Sequence, residues 1–361
     1  MRKRHPGVHP STVDVLRVCA ILLVAAGTAG CVRHRALSTA GVTDADYALA
    51  IERGRNIMRP LVRRGSGAAV AVGVNGRIVW SEGFGRTSPT GAEPVTPDLP
   101  FRVYSLMKQV TAVLALQSAV AGEVDLRESV RRIIPDLPEH YEPVTLLQLL
   151  THTAGVRHYR DPSEALLTAH CATAAEALPL FIDDPLVDAP GRGESYSTFG
   201  FVLASAVLER AARMPFDALI DARILGPSGM TSTRLEDGRS PRTTVAFYDV
   251  DADGRLREAP AVDNSCRMGG GGFVASAEDI VRFHNAVLRG ELVPLQAVRQ
   301  MLGERTALDA AGSGPGGQAV SRVDLASGIS VAIVSNTSGL EQEIALERAR
   351  TLVAAVFTPE N

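Results

Sequence analysis

Phe101-Arg102-Val103-Tyr104-Ser105-Leu106-Met107-Lys108 places a hydroxyl and an amine three positions apart, at the head of a run that stays apolar through Val110, Ala112, Val113, Leu114 and Leu116. On a helix over residues 105–120 the two side chains share a face and lie within hydrogen-bonding reach. A serine hydroxyl is a weak nucleophile that needs an adjacent base, and an amine can serve only where burial or a neighbouring cation depresses its pKa. Arginine cannot, because its guanidinium stays protonated in proteins. The composition makes the lysine informative: of 37 basic residues only Lys3 and Lys108 are lysine. A plainer reading makes Ser105 a helix cap and Lys108 a solvated first-turn residue. Against it, a cation in the first turn opposes the helix dipole, and the run that follows has the character of a buried helix.

The rest of the chain is that of a large globular protein. It has 361 residues, 45% hydrophobic and 21% charged, with a formal net charge of -3. That balance supports a sizeable core, and the lack of any block of like charges excludes a nucleic-acid scaffold or a polybasic membrane binder. The N-terminus reads as a targeting segment over residues 1–30: a basic start (Arg2, Lys3, Arg4), an apolar stretch over residues 15–26 interrupted by Arg17, then Gly27-Thr28-Ala29-Gly30-Cys31. The last four residues resemble a lipobox, so Cys31 is the expected lipidation site, with a plain secretory signal or an uncleaved anchor as alternatives. Export to the bacterial cell envelope follows as an expectation, and residues 31–42 read as a linker. Without residues 1–30 the chain carries 33 basic and 39 acidic residues, and Lys108 is its single lysine. Cys171 and Cys266 are too widely spaced for a zinc knuckle or a redox pair. An oxidising compartment permits a disulfide between them, but two unpaired buried thiols are the expectation.

Residues 44–63 have the pattern of an amphipathic helix. Gly67–Val74 and residues 78–80 are β-rich runs separated by Asn75-Gly76, the strongest short hairpin signal. Residues 128–257 are mostly helical in pattern. Four glycines at 269–272 precede Ser276-Ala277-Glu278-Asp279, which opens another helix. Residues 319–325 and 329–334 read as strands and residues 339–357 as a final helix. The pattern predicts an α/β (α+β) fold: an antiparallel sheet drawn from both chain ends and flanked by helices, with an inserted all-helical domain. The expected boundaries are a sheet subdomain over 43–100 and 258–357 and a helical subdomain over 101–257. No cluster of His, Cys or Asp has ligand spacing, so neither metal nor organic cofactor is expected.

A second element is Tyr196-Ser197-Thr198, in a turn behind Pro190-Gly191-Arg192-Gly193. A phenol beside a Ser/Lys pair can relay a proton, its anion favoured by the nearby cation. Together with Leu149-Leu150-Thr151-His152-Thr153-Ala154-Gly155-Val156 and Gly270-Gly271-Gly272-Phe273, these motifs make the sequence resemble the serine β-lactamase-like and penicillin-binding group, in its class C-related branch, over residues 45–357. Arg157-His158-Tyr159 and Asp263-Asn264-Ser265 are runs shared with a mitochondrial part of that group. The resemblance implies a β-lactamase/transpeptidase-like fold, Ser105 as the acylated nucleophile, Lys108 as its base and Tyr196 as proton relay. Thr198 falls where many members carry an asparagine that touches substrate, and His152 matches a histidine expected to tie loops together.

The resemblance frays at a third motif, Lys-Thr-Gly or His-Thr-Gly in the group, which supplies polar side chains and a backbone N–H for the oxyanion hole. Here the stretch is Ser313-Gly314-Pro315-Gly316-Gly317-Gln318, and Gly316, Gly317 or Gln318 is expected to offer the N–H. Without a cation there, a β-lactam carboxylate lacks its partner. The expectation is an exported serine hydrolase of peptidase or esterase type acting on a peptide or small-molecule substrate. The alternative is a lipid-anchored binding protein that has lost efficient turnover.

Overall fold

The computed structural model describes residues 38–62, 65–91, 93–237 and 245–358. The targeting segment, Cys31 and the start of the expected linker lie outside them. The chain enters on strand β1 (Ser38–Thr43), then helix α1 (Ala48–Met58) and strands β2 (Gly67–Val74) and β3 (Arg77–Gly85). Strand β4 (Phe101–Arg102) leads through a tight turn, Tyr104–Met107, into α2 (Lys108–Val120). Helices α3 (Leu146–Leu150), α4 (Ala174–Ala177), α5 (Thr198–Ala212), α6 (Phe216–Ile220) and α7 (Gly226–Ser228) follow. Short strands β5 (Arg234–Leu235), β6 (Tyr248–Val250), β7 (Leu256–Glu258) and β8 (Phe273–Ala275) come next, then α8 (Ala277–Leu288) and α9 (Leu295–Leu302). Strands β9 (Ala307–Gly314), β10 (Gly317–Asp324), β11 (Ile329–Ser335) and β12 (Thr337–Ser338) precede the long helix α10 (Leu340–Phe357).

Both chain ends build one antiparallel sheet in the order β1-β3-β2-β11-β10-β9, with β2 and β11 joining the two halves. Alternation along these strands sorts the core into two layers. Val70, Val72, Val331 and Ile333 face one layer, where Ile51 and Met58 of α1 and Leu346, Val353 and Phe357 of α10 cover them. Ala69, Ala71, Ala332 and Val334 face the other, against Ile280 and Val281 of α8 and the helical part of the chain. Trp80 stacks on Phe357 at 5.9 Å, and a Cβ on Gly54 would stand 2.5 Å from the Trp80 ring. That contact explains a glycine inside α1 despite its cost there of roughly 1 kcal/mol against alanine. Asn75 and Gly76 both hold positive φ, 50° and 79°, as a two-residue type I′ turn requires.

Three expectations are corrected. Residues 38–42, read as linker, form β1 together with Thr43 and pair with β3 from Ser38↔Phe84 to Thr43↔Trp80. The strand content near the C-terminus is greater than its pattern showed: β9 pairs with β10 over eight residues, from Gly314↔Gly317 to Ala307↔Asp324. Ala-Leu-Asp-Ala-Ala-Gly-Ser-Gly contains no β-branched or aromatic residue, so pairing rather than propensity makes it a strand. Cys171 and Cys266, expected as unpaired thiols, form a disulfide across 95 residues of sequence. Packing brings them together, and the Cys171 N–H donates to Ser265 Oγ at 2.9 Å.

Candidate active site

Ser105 stands in the turn ahead of α2, and Lys108 is the first residue of the helix proper. The preceding Tyr104 holds φ at 45°, and the turn tolerates this because glycines surround it. A Cβ on Gly312 of β9 would stand 1.9 Å from the Val103 carbonyl oxygen, and one on Gly271 would stand 2.9 Å from the Tyr104 carbonyl carbon. Only glycine lets β9 and the glycine run close on both sides of the nucleophile turn.

Lys108 is 7% exposed. Its Nζ lies 2.8 Å from Ser105 Oγ, 2.6 Å from the Gly270 carbonyl oxygen and 3.2 Å from Thr198 Oγ1. Burial, and after it the charge of Arg267, pushes the Lys108 amine well below the ordinary lysine value. A neutral amine satisfies this geometry in full: two N–H bonds reach Gly270 O and Thr198 Oγ1, and the lone pair accepts the Ser105 hydroxyl proton. The Tyr196 hydroxyl donates to Ser105 Oγ from the other side at 2.7 Å. Burial raises Tyr196 above the usual phenol value, with the Ser105 bond pulling the other way. The phenol is therefore a proton donor.

Tyr196 owes its position to two histidines. His152 lies tilted against its ring at 4.5 Å and His158 meets it edge-on at 5.3 Å. Each uses Nδ1 to accept a backbone N–H at the start of α5, Ser197 at 3.1 Å for His152 and Thr198 at 3.2 Å for His158. The loop-tying role expected of His152 is what these contacts describe, and His158 shares it. Arg157 anchors the segment by bonding Glu164 and Asp184 and lying 4.8 Å over the Phe199 ring. Ser197 caps α5, accepting from Gly200 N–H at 2.8 Å and donating to Arg157 O at 2.6 Å.

Burial chiefly pushes both histidines down to about 4. In the unfolded chain they titrate near 6.5. Between those values the unfolded state binds more protons, so stability falls as pH drops from 6.5 towards 4. Each histidine contributes on the order of 1 kcal/mol at pH 5 after solvent screening. The melting temperature is expected to be lower at pH 5 than at pH 7, with a smaller drop in His158→Asn, whose amide oxygen accepts the same N–H without titrating. An equal drop in the two proteins would dissociate it from His158.

Thr198 Oγ1 completes the shell of Lys108, and the residue also lines the cavity beside Ser105. The N–H donor expected at Gly316, Gly317 or Gln318 is displaced by the hairpin geometry. Pro315-Gly316, with Gly316 at φ 71°, is the turn between β9 and β10. The Gly316 N–H donates to Asp249 at 2.8 Å, Gly317 opens β10, and Gln318 lies inside the sheet opposite Ser335 of β11, its side-chain amide donating to Ser313 Oγ and Gly339 O. A two-residue hairpin makes Gly314 and Gly317 a hydrogen-bonded pair, so Ser313 turns its N–H away from β10 along the free edge of the sheet. Ser313 and Ser105 line one cavity of about 370 Å³. Among the described residues no group of three His, Cys, Asp or Glu could hold a metal ion.

A buried Ser/Lys pair with a tyrosyl donor, set at the edge of an antiparallel sheet against a helical insert, defines an acyl-transfer site of the serine β-lactamase class. The chain belongs to the Beta-lactamase family, whose model matches residues 55–355, and is a serine hydrolase by that membership. It is 27% identical to the mitochondrial serine beta-lactamase-like protein LACTB of Homo sapiens over 319 residues, covering 69% of this chain and 58% of that protein. Esterase EstB of Burkholderia gladioli is 27% identical over 260 residues, covering 62% of this chain and 66% of the esterase. The chain thus spans less than two thirds of either relative. In fold it is similar to the D-amino acid amidase from Ochrobactrum anthropi SV3, with a TM-score of 0.73 at 22% identity over 86% of this chain and 97% of that one.

Proposed function

We propose that the protein is an exported esterase or peptidase that works through an acyl-enzyme on Ser105. The observation that carries this reading is the serine oxygen held between a buried amine at 2.8 Å and a phenol at 2.7 Å. Ser105 Oγ attacks the substrate carbonyl while its proton passes to Lys108 Nζ. The tetrahedral oxyanion meets the N–H groups of Ser105 and Ser313. Collapse expels the alcohol or amine, which takes the Tyr196 proton, and the Lys108 ammonium restores that proton. Water then attacks the ester carbonyl with Lys108 again as base, releasing the acid and free Ser105.

Ala311-Gly312-Ser313-Gly314 gives the edge strand no cation, so a β-lactam carboxylate has no partner on that strand. Export is supported by the Cys171–Cys266 pairing, since such bonds persist in oxidising compartments, and by the N-terminal pattern ending at Cys31. A fluorophosphonate probe is expected to label the protein, with the adduct located on Ser105 by mass spectrometry of the digest. No label, or a label on another serine, removes the proposal.

A further inference from the structure

The cavity beside Ser105 holds a second charged group that the chemistry above does not use. Arg267 lines it and is 5% exposed. Its guanidinium lies between two tyrosine rings, 5.6 Å from that of Tyr104 and 5.4 Å from that of Tyr159. It donates to Asn264 Oδ1 at 2.6 Å, to the Tyr159 hydroxyl at 2.7 Å and to the Ala165 carbonyl. All three acceptors are neutral. Among the described residues no carboxylate comes within 4 Å of Arg267. Glu236, which reaches the same network by accepting from Asn264, is already paired with Arg102, whose Nε lies 2.9 Å and 3.0 Å from its two oxygens. Glu343, on α10, is an acidic residue of the cavity wall and makes no such contact with Arg267.

A buried cation without a counter-ion is costly, and a structural clamp on three neutral oxygens does not require one: a glutamine or a water could make such bonds without the charge. The five N–H groups of a guanidinium exceed the three bonds that Arg267 makes, and its fork matches a carboxylate. We propose that Arg267 binds an anionic group of the substrate, so that the preferred esters or amides carry a carboxylate close to the scissile bond. The inference rests on the hydrolase reading above and specifies its substrate class. It also places the anion's partner on the glycine-run turn rather than on the edge strand, where β9 has none.

The test compares pairs of esters that differ only in charge. One pair carries it on the acyl side, para-nitrophenyl hemisuccinate against para-nitrophenyl isocaproate. The other carries it on the leaving group, para-acetoxybenzoate against its ethyl ester. Wild-type enzyme is expected to prefer the carboxylate member of at least one pair by about tenfold to a hundredfold in kcat/KM. Arg267→Gln should bring that ratio close to one, and Arg267→Lys, which keeps the charge but loses the fork, should retain part of it. The ratio within a pair is the readout because Arg267 also holds the Lys108 amine down. A change in Lys108 titration moves both members of a pair together and leaves their ratio intact. A ratio near one for both pairs in wild type overturns the proposal, as does an unchanged ratio in Arg267→Gln. Calorimetric binding of the same pairs to Ser105→Ala reads the preference without turnover. A protein that binds the anionic members more tightly but takes no fluorophosphonate loses the hydrolase reading alone.

Discussion

Lys108→Arg is expected to lower kcat/KM at least about 10,000-fold, or about 5 kcal/mol of transition-state stabilisation. The substitution conserves charge, which is why it discriminates. Lys108 Nζ sits within 2.6 to 3.2 Å of Gly270 O, Ser105 Oγ and Thr198 Oγ1, a shell that accommodates a compact amine. A planar guanidinium in that shell remains protonated at any pH at which the protein is folded, so no lone pair faces the serine. Lys108→Met, which keeps the length and loses the nitrogen, should fall to the same level. Near-normal hydrolysis by either variant would exclude Lys108 as the base. In wild type, the depressed Lys108 amine places the acid limb of kcat/KM against pH well below the ordinary lysine range, because the neutral amine is the active form. Activity that appeared only near pH 10 would contradict this.

Ser105→Ala is expected to reach the same floor, and the double variant Ser105→Ala/Lys108→Arg should be no slower than either single one. Nucleophile and base act as a unit, so their losses are not additive: without the hydroxyl there is no proton for the amine to take. A double variant slower by the product of the single losses would mean that the two residues serve separate steps. Retention of more than about 1% of activity in Ser105→Ala, against a loss of at least about 10,000-fold expected for a missing nucleophile, would place the nucleophile elsewhere.

The features that could be read along the chain depend on neighbours in sequence. Asn75-Gly76 demands a hairpin because of what two positive φ values cost other residues. Ser105 and Lys108 come together through one helical turn. The composition also pointed to Lys108, since a chain that otherwise uses arginine for positive charge keeps a lysine where a proton must leave.

Other features depend on segments far apart. β9 has weak strand propensity and becomes a strand by pairing with β10, and the turn at Pro315-Gly316 then moves the free edge N–H to Ser313, away from the glycines that follow. His158 carries no signal of its own. It acquires a role when the loop around Arg157 folds under α5. The cysteine spacing left the disulfide open, because contact between residue 171 and the turn at 266 is a property of packing alone.

By itself, then, the sequence determined the fold class and the sheet drawn from both chain ends, and through residue chemistry and a family resemblance it singled out Ser105, Lys108 and Tyr196 as candidate nucleophile, base and proton relay. The tertiary structure decided the electrical state of those groups. Burial beneath Gly270, 162 positions away, and after it the charge of Arg267 push the Lys108 amine well below the ordinary lysine value. Burial raises Tyr196 above the usual phenol value, and two histidine rings set its position beside Ser105. Arg267 is an uncompensated charge because Arg102 has already claimed Glu236. Desolvation and Coulomb energy depend on distances through space, and a linear pattern of residues does not contain them.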